Sequence, residues 1–489
     1  MPHQTTLPAA ALGAALLMSG CVPKPPPVKE GVLAIDAPAA YRSKLGVATS
    51  DADWVKQLSK DRTLNKLIDE VKANNWDIKK AAARVMTAKA NAEIAGAARL
   101  PHFSTGLDGR RSQQAFIGFP FSGDDGANGG ANGDATMPAM DSGITKSLSN
   151  NFGLSLDVSW EIDLWGRIRT GQEAYIAEVQ ATAEDLRGLG SSLAAQTAKV
   201  WFAMLEADEQ IALAQETLVS FNETTRTLRD SFEAGNGSAA QLRVAKADVE
   251  TAKALLEERK GQKRATQRQL EVLLGRYPGA EIESAGKLPD MPKPPPPGVP
   301  SDLLRRRSDI AAAERRLAVT DRRIKEAKLA LFPQISLTGS GGTASDMLRN
   351  VTDSSFGVWS IAGRAGQQLF RGGEVLGNVK LRKVAQSEAY IDYQRAAISA
   401  FEEVETRLDN EIVLRKREDA LRAAEENLIA AYKRSLEEYR GGVGSSTNLL
   451  LTQRQMLNVR AQVLTLRRLR LDNRVDLHLA LGGSIDEKV

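Results

Sequence analysis

Few residues of this chain are equipped for chemistry. It has one cysteine, Cys21, and three histidines, His3, His102 and His478, which show no metal-ligand spacing. No nucleophile motif and no phosphate-binding loop is present. The one local concentration of reactive groups is acidic: Asp157, Glu161 and Asp163 in the stretch FGLSLDVSWEIDLWGR, Phe152 to Arg167. Carboxylates repeated by symmetry into rings favour cations, whereas scattered along a wide passage they are solvated wall. No acid, base and nucleophile can be assembled, so the sequence points away from an enzyme, and neither a metal nor a diffusible cofactor is expected.

The element that carries these acids is unusual. Phe152, Leu154, Leu156, Val158, Trp160, Ile162 and Leu164 alternate with Gly153, Ser155, Asp157, Ser159, Glu161 and Asp163. That alternation outlasts the ~5–6 residues of a typical strand. One face is oily from end to end and the other is polar and acidic. Strands of ~9–11 residues, apolar outward and polar inward, mark the wall of an outer-membrane barrel. A strand with an unpaired edge cannot sit in lipid, because its backbone groups go unsatisfied. The sequence offers four strand candidates, at about 102–121, 150–164, 332–343 and 355–369. Barrels begin at ~8 strands, and two chains would give a filled interior; three chains give twelve strands and an open lumen. The expected fold is therefore an α+β membrane protein, a trimeric twelve-stranded transmembrane β-barrel with four strands per chain. Asp157, Glu161 and Asp163 would face its lumen. A soluble hairpin half-buried against a helix is the competing reading.

Composition bounds the rest. Of 489 residues, 65 are basic and 61 acidic, so the formal charge of +4 makes no case for nucleic acid. No run approaches the ~18 apolar residues of a spanning helix. The alanine-rich segment ending at Cys21 reads as an export signal, 1–20. Met18-Ser19-Gly20-Cys21 resembles the bacterial lipoprotein box, which implies a covalent lipid on Cys21. A proline-rich tether follows, within 21–60.

The chain is also a duplication. DIKKAAARVMTAKANAEIAGAARLPHFS from Asp77 aligns with DIAAAERRLAVTDRRIKEAKLALFPQIS from Asp309, and FEAGNGSAAQL from Phe232 aligns with YRGGVGSSTNL from Tyr439. The first unit spans 61–287 and the second 301–483, joined by a proline-rich linker at 288–300, with a tail at 484–489. The first copy carries a Gly/Asn/Asp-rich insert at 122–143, read as a long hairpin loop. Each copy predicts a helix, a strand pair, a very long helix, a glycine turn and a return helix. The long helices are expected at 166–233 and 239–274, and at 377–440 and 446–481. The first of these would reach ~100 Å. Its apolar residues from Leu193 to Phe232 recur at spacings of three and four, and Leu414, Leu421 and Leu428 recur every seven, so coiled-coil packing is expected. Gly188 and Gly190 mark a place where the helix would bend or break.

Three segments give these observations a common source. WEIDLWGRIR (Trp160–Arg169), LLRRRSDIAAAERRL with LFPQISL (Leu303–Leu317, Leu331–Leu337) and YRGGVGSSTNLLLTQR (Tyr439–Arg454) resemble the TolC-like outer-membrane efflux factors, lipoprotein OprM/NodT branch. The resemblance covers about residues 40–485. It implies a homotrimer whose barrel continues into a long periplasmic α-helical coiled-coil barrel, with the equatorial region beginning in the tether. It also implies a passive exit duct for drugs or other small toxic compounds, partnered by a periplasmic adaptor and an inner-membrane RND-type transporter. A type I secretion or metal-efflux exit is the runner-up within that class. A non-conducting helical lipoprotein spanning the periplasm is the alternative outside it. The turn residues Gly235, Gly237, Ser238, Arg440, Gly442, Gly444 and Ser445 would then gate the periplasmic aperture and dock the adaptor. Gly444 stands where relatives often carry Asp, so an acidic ring is not expected there; Glu437, Glu438 and Arg440 are the groups expected to form an ion-pair latch instead.

Overall fold

The computed structural model describes residues 41–42, 62–117, 144–284, 286–292 and 300–483. The signal segment, Cys21, nearly all of the tether, the 122–143 insert, most of the linker and the tail lie outside the described residues. The chain divides into two compact units, a helical one (1–92, 173–322, 383–489) and one holding the strands (93–172, 323–382).

In chain order the described elements begin with α1 (Arg62–Asn74), α2 (Trp76–Ala97), β1 (His102–Ile117), β2 (Ile144–Ile162), α3 (Arg167–Glu233) and α4 (Ala239–Leu273). They continue with α5 (Pro300–Arg306), α6 (Ser308–Leu329), β3 (Gln334–Ser345), β4 (Gly357–Gly366), α7 (Glu374–Arg440) and α8 (Ser446–Ala480). The duplication is metrical. A shift of 207 residues carries α3 onto α7, both of 67 residues, and α4 onto α8, both of 35. For α2 and α6, both of 22 residues, the shift is 232, so the first copy gains 25 residues across the span that holds the insert.

In the strand unit, one antiparallel sheet runs β1-β2-β3-β4. The two hairpins, one from each copy, meet along β2 and β3, where Phe152–Ile162 pair with Ser345–Ile335. The strand expected at 150–164 starts earlier, at Ile144, because β1 and β2 continue their ladder to Ile117↔Ile144 beyond the alternating segment. Backbone pairing needs no apolar face once the strand leaves the oily band. It also ends earlier, at Ile162, since Asp163 belongs to the turn before α3. The weakest candidate, 355–369, contracts to Gly357–Gly366.

In the helical unit, α3 runs unbroken through Gly188 and Gly190. A Cβ at Gly188 would stand 2.6 Å from the Ser308 hydroxyl, so its absence admits the start of α6. The largest core gathers α1, α3, α4 and α8 around Trp201, Phe202, Met204, Leu270 and Leu471. Trp201 and Phe202 are adjacent and both buried, 2% and 0% exposed, which a two-helix seam cannot achieve. Here α3 is enclosed on several sides, and the expected coiled-coil stripe is widened into a globular core. Each such buried side chain contributes ~1.5–3 kcal/mol.

The seam of α7 also departs from expectation. Its buried series is Tyr393, Ala397, Ala400, Val404, Leu408, Glu411 and Glu418, while Leu414 and Leu421 are only half-buried. The stripe thus passes from apolar to acidic. Arginines of α8 answer it: Arg474 reaches Glu411 at 2.6 Å and the Pro292 carbonyl at 2.6 Å, and Arg470 reaches Glu418 at 2.6 Å. Although burial opposes ionisation, hydrogen bonds from Arg470 and Arg422 hold the Glu418 carboxyl below its usual range. Removing one partner of such a pair costs ~3–5 kcal/mol, because it strands a buried charge.

A second buried cluster on α8 makes stability respond to acid in two opposed ways. Burial, with Asp476 and Glu206 nearby, pushes the Asp472 carboxyl up to about 6 against the pull of Arg468 and Lys199. Burial, with Arg474 beside it, pushes the His478 imidazole down to about 4. The folded chain therefore takes the Asp472 proton more readily than the unfolded chain, and gains stability as pH falls through about 6. It takes the His478 proton less readily, and loses stability as pH falls from the free imidazole value of ~6.5 toward about 4. The two arms oppose each other as pH falls from ~6.5 toward about 4. His478→Gln should leave a chain that melts higher at pH 5 than at pH 7.5, and Asp472→Asn one that melts lower. Thermal unfolding followed by far-UV circular dichroism in detergent checks this; two variants with parallel pH profiles would refute it.

Candidate functional site

The sheet sorts its side chains into two faces, because successive residues point to opposite sides. One face is apolar. Its rows read Trp160, Leu337 and Gly363; Phe103, Val158, Gly339 and Ile361; Thr105, Leu156, Gly341 and Trp359; and Leu107, Leu154, Thr343 and Gly357. Much of this face is open among the described residues: Trp359 is 79% exposed and Ile361 73%. The other face reads His102, Ser159, Thr338 and Ala362; then Ser104, Asp157, Ser340 and Ser360. Further rows of this face carry Glu161, Ser336 and Arg364, and Ser155, Gly342 and Val358. The outer edges of β1 and β4 have no strand beside them among the described residues.

The three acids have different fates. Asp157 sits in the serine row and accepts from the Ser155 hydroxyl at 2.8 Å. Glu161 is paired with Arg167 at 2.7 Å, and Arg364 continues its row across Ser336. Asp163 lies past the end of β2, and its carboxylate accepts from the backbone N–H groups of Ile168 and Arg169 at 3.0 and 2.7 Å. It closes the first turn of α3, where an acid also meets the positive end of the helix dipole. A register position opposite Ser336 was the only signal that could have found Arg364.

The two helix reversals are built alike. Gly235 and Gly442 take φ of 77° and 75°, the left-handed conformation that glycine adopts without a Cβ penalty. Around each, paired backbone bonds close the helix: Asn236 N–H to Ser231 O at 2.9 Å and Gly235 N–H to Phe232 O at 3.0 Å, with the counterparts Val443 to Glu438 at 3.0 Å and Gly442 to Tyr439 at 3.1 Å. Gly237 and Gly444 serve a different need. A Cβ on either would lie 2.7 Å from a backbone nitrogen, that of Phe232 or of Tyr439. An Asp at 444 therefore does not fit this turn without a backbone shift. Ser238 and Ser445 start the return helices, and the Ser445 hydroxyl accepts from Thr447 N–H at 3.2 Å. The expected latch is not formed within the chain. Glu438 pairs with Arg434 at 2.8 Å and Glu437 lies 4.0 Å from the same guanidinium, while Arg440 makes no ion pair among the described residues. Arg434 stands at i−4 from Glu438 and i−3 from Glu437 and meets both; Arg440 stands at i+3 from Glu437, also within reach along a helix, yet the two do not pair.

Known proteins carry the same arrangement. The family described as "Outer membrane efflux protein" matches residues 67–276 and 299–483. The outer membrane protein OprJ of Pseudomonas aeruginosa is 29% identical over 486 residues, covering 98% of this chain and 96% of that one. The toluene efflux pump outer membrane protein TtgF of Pseudomonas putida is 29% identical over 439 residues, 90% of this chain and 87% of its own. The crystal structure of the Campylobacter jejuni CmeC outer membrane channel superposes with a TM-score of 0.80 at 25% identity, over 92% of each chain. The fold is that of outer-membrane channels, a class of ducts rather than enzymes. The chain belongs to the outer membrane efflux protein family and acts in the outer membrane as an efflux exit duct.

The two kinds of tip glycine should separate on substitution. Gly442→Ala places its Cβ in open space and should cost only the ~1–2 kcal/mol of left-handed backbone. Gly444→Ala must move the backbone of Glu438–Tyr439 as well. Amide hydrogen exchange over 436–447 should quicken markedly more in Gly444→Ala than in Gly442→Ala. Equal exchange in the two variants would contradict the packing argument.

Proposed function

We propose that three copies of this chain close one twelve-stranded barrel and form the passive outer-membrane exit of a tripartite efflux system. The observation that carries this reading is a sheet with one continuous apolar face and two open edges. From Phe152 to Trp160 the oily rows span eight residue steps, ~27 Å along the strand at 3.4 Å each. Tilted by ~40°, that is ~21 Å of depth, near the ~25 Å apolar band of such barrels. In lipid every strand edge must be paired, and β1 of one copy beside β4 of the next satisfies both. Asp157, and Glu161 tempered by Arg167, then face the lumen. The serine and threonine rows beside them offer a wetted surface with little power to select. Selection of drugs or other small toxic compounds is left to an inner-membrane RND-type transporter.

The paired reversals at Gly235–Ser238 and Gly442–Ser445 form the periplasmic aperture in this reading and meet a periplasmic adaptor. Arg440, without a partner in its own chain among the described residues, is available to the adaptor or to a neighbouring copy. Cys21 carries a lipid that adds an anchor to the barrel. The repeats at 61–287 and 301–483 act as equivalent halves, so that three chains supply six helix pairs to the α-helical barrel.

Native mass of the detergent-extracted complex tests the trimer. A species near three times the 52.8 kDa of one chain, collapsing to the monomer on heating, is expected. A monomer released from membranes without detergent would overturn the barrel.

A further inference from the structure

The apolar face of the sheet ends differently at its two ends. At the helix end it is finished by aromatic groups: the Trp160 and Trp165 indoles donate to the carbonyls of Arg99 and Pro333 at 2.9 and 2.8 Å, and Trp165 lies 5.2 Å from the Phe332 ring. Such rings suit a membrane–water boundary. At the hairpin end the last oily row is Gly109, Phe152 and Ser345. Two residues further along β1, on the same face, stands Arg111, opposite Asn150. On β2 the next residue of that face, Leu148, is 54% exposed.

The β3–β4 connection supplies a second cation there. Thr343 belongs to the oily row of Leu107 and Leu154, and its hydroxyl donates to the Val351 carbonyl at 2.6 Å. Val351 is buried. The connection is thereby folded onto the apolar face, and its short helical turn, Leu348–Asn350, exposes Met347, Leu348 and Arg349. Arg111 stands on β1, and Arg349 on the connection that follows β3, a strand two spacings, ~10 Å, from β1. Neither Arg111 nor Arg349 has a side-chain partner among the described residues.

Two guanidinium groups without side-chain partners among the described residues, at headgroup depth and beside exposed aliphatic side chains, fit a phosphate ester attached to acyl chains. Arginine binds phosphate through paired charge-assisted hydrogen bonds. We propose that Arg111 and Arg349, with Leu148, Met347 and Leu348, hold the phosphorylated headgroup and upper acyl chains of an outer-leaflet glycolipid. The proposal rests on the barrel reading, which places this end of the apolar face in the outer leaflet. In a closed trimer the β1 edge of one copy lies beside β4 of the next, so these residues recur as a rim of six arginines.

The test adds diphosphorylated lipid A, or the same lipid stripped of phosphate, to the purified heat-sensitive oligomer and reads its dissociation temperature. Lipid A should raise that temperature more than the stripped lipid does. In the Arg111→Gln/Arg349→Gln double variant the lipid A concentration needed should rise by about tenfold or more, while Arg111→Lys/Arg349→Lys should retain most of the effect. An oligomer stabilised equally by both lipids overturns the phosphate site and leaves the barrel standing. A double variant that loses stability without added lipid, yet responds to lipid A as before, assigns the arginines to a protein contact and likewise overturns the proposal. If no heat-sensitive oligomer exists, the barrel reading fails and this site fails with it.

Discussion

A strand that faces hydrocarbon must have all of its backbone hydrogen bonds made by other strands, and in the proposed barrel much of this chain's organisation answers to that requirement. One hairpin cannot meet it. Duplication supplies a second hairpin, and β2 of the first copy pairs with β3 of the second over eleven residues, Phe152 to Ile162. Each hairpin alone has two open edges; joined, they leave only the outer edges of β1 and β4. The apolar rows run straight across that junction, from Phe103 through Val158 and Gly339 to Ile361. The two copies therefore form one continuous sheet, and in the proposed trimer only β1–β4 contacts remain to be made between chains.

The same duplication sets the helices. Equal lengths of 67 and 35 residues in the two copies bring both reversals to corresponding positions, with matching left-handed glycines and matching backbone bonds. A one-residue insertion in either arm would rotate that helix by ~100° and turn its packing face away. Insertions are tolerated where the first copy places its 25 additional residues, between α2 and α3, outside the paired helices. Chemistry at the tips then differs only in side chains such as Asn236 against Val443, upon a common backbone.

Charge is handled in two ways. In the helical unit, the buried acids Glu411 and Glu418 are met by arginines from another helix, Arg474 and Arg470. Such pairs gain little net stability but tolerate few alternatives, since a shifted register would leave a charge stranded. They fix how α7 lies against α8. On the polar face of the sheet the charges are sparse and partly neutralised, with Arg167 on Glu161 and Arg364 in the same row. In the proposed barrel such a wall lets solutes pass without holding them.

The sequence by itself determined the alternation of the strands, the internal duplication and the glycine reversals, because each is a local periodicity or a local backbone demand. Strict alternation from Phe152 to Ile162 admits one secondary structure, and Gly235 and Gly442 admit conformations closed to other residues. Tertiary structure decided whatever depends on a distant partner. Asp163, one more acid in an acidic strand by pattern, becomes the carboxylate that closes the first turn of α3. The leucines Leu414 and Leu421 drew the eye to a heptad, yet the buried positions three residues earlier are glutamates, legible only beside arginines more than fifty residues away. Glu438 pairs with Arg434, four residues back along the helix, rather than with Arg440, two residues on, because helix geometry sets which side chains meet. The Thr343 hydroxyl ties the β3–β4 connection to the apolar face through the Val351 carbonyl, a partner no periodicity announces.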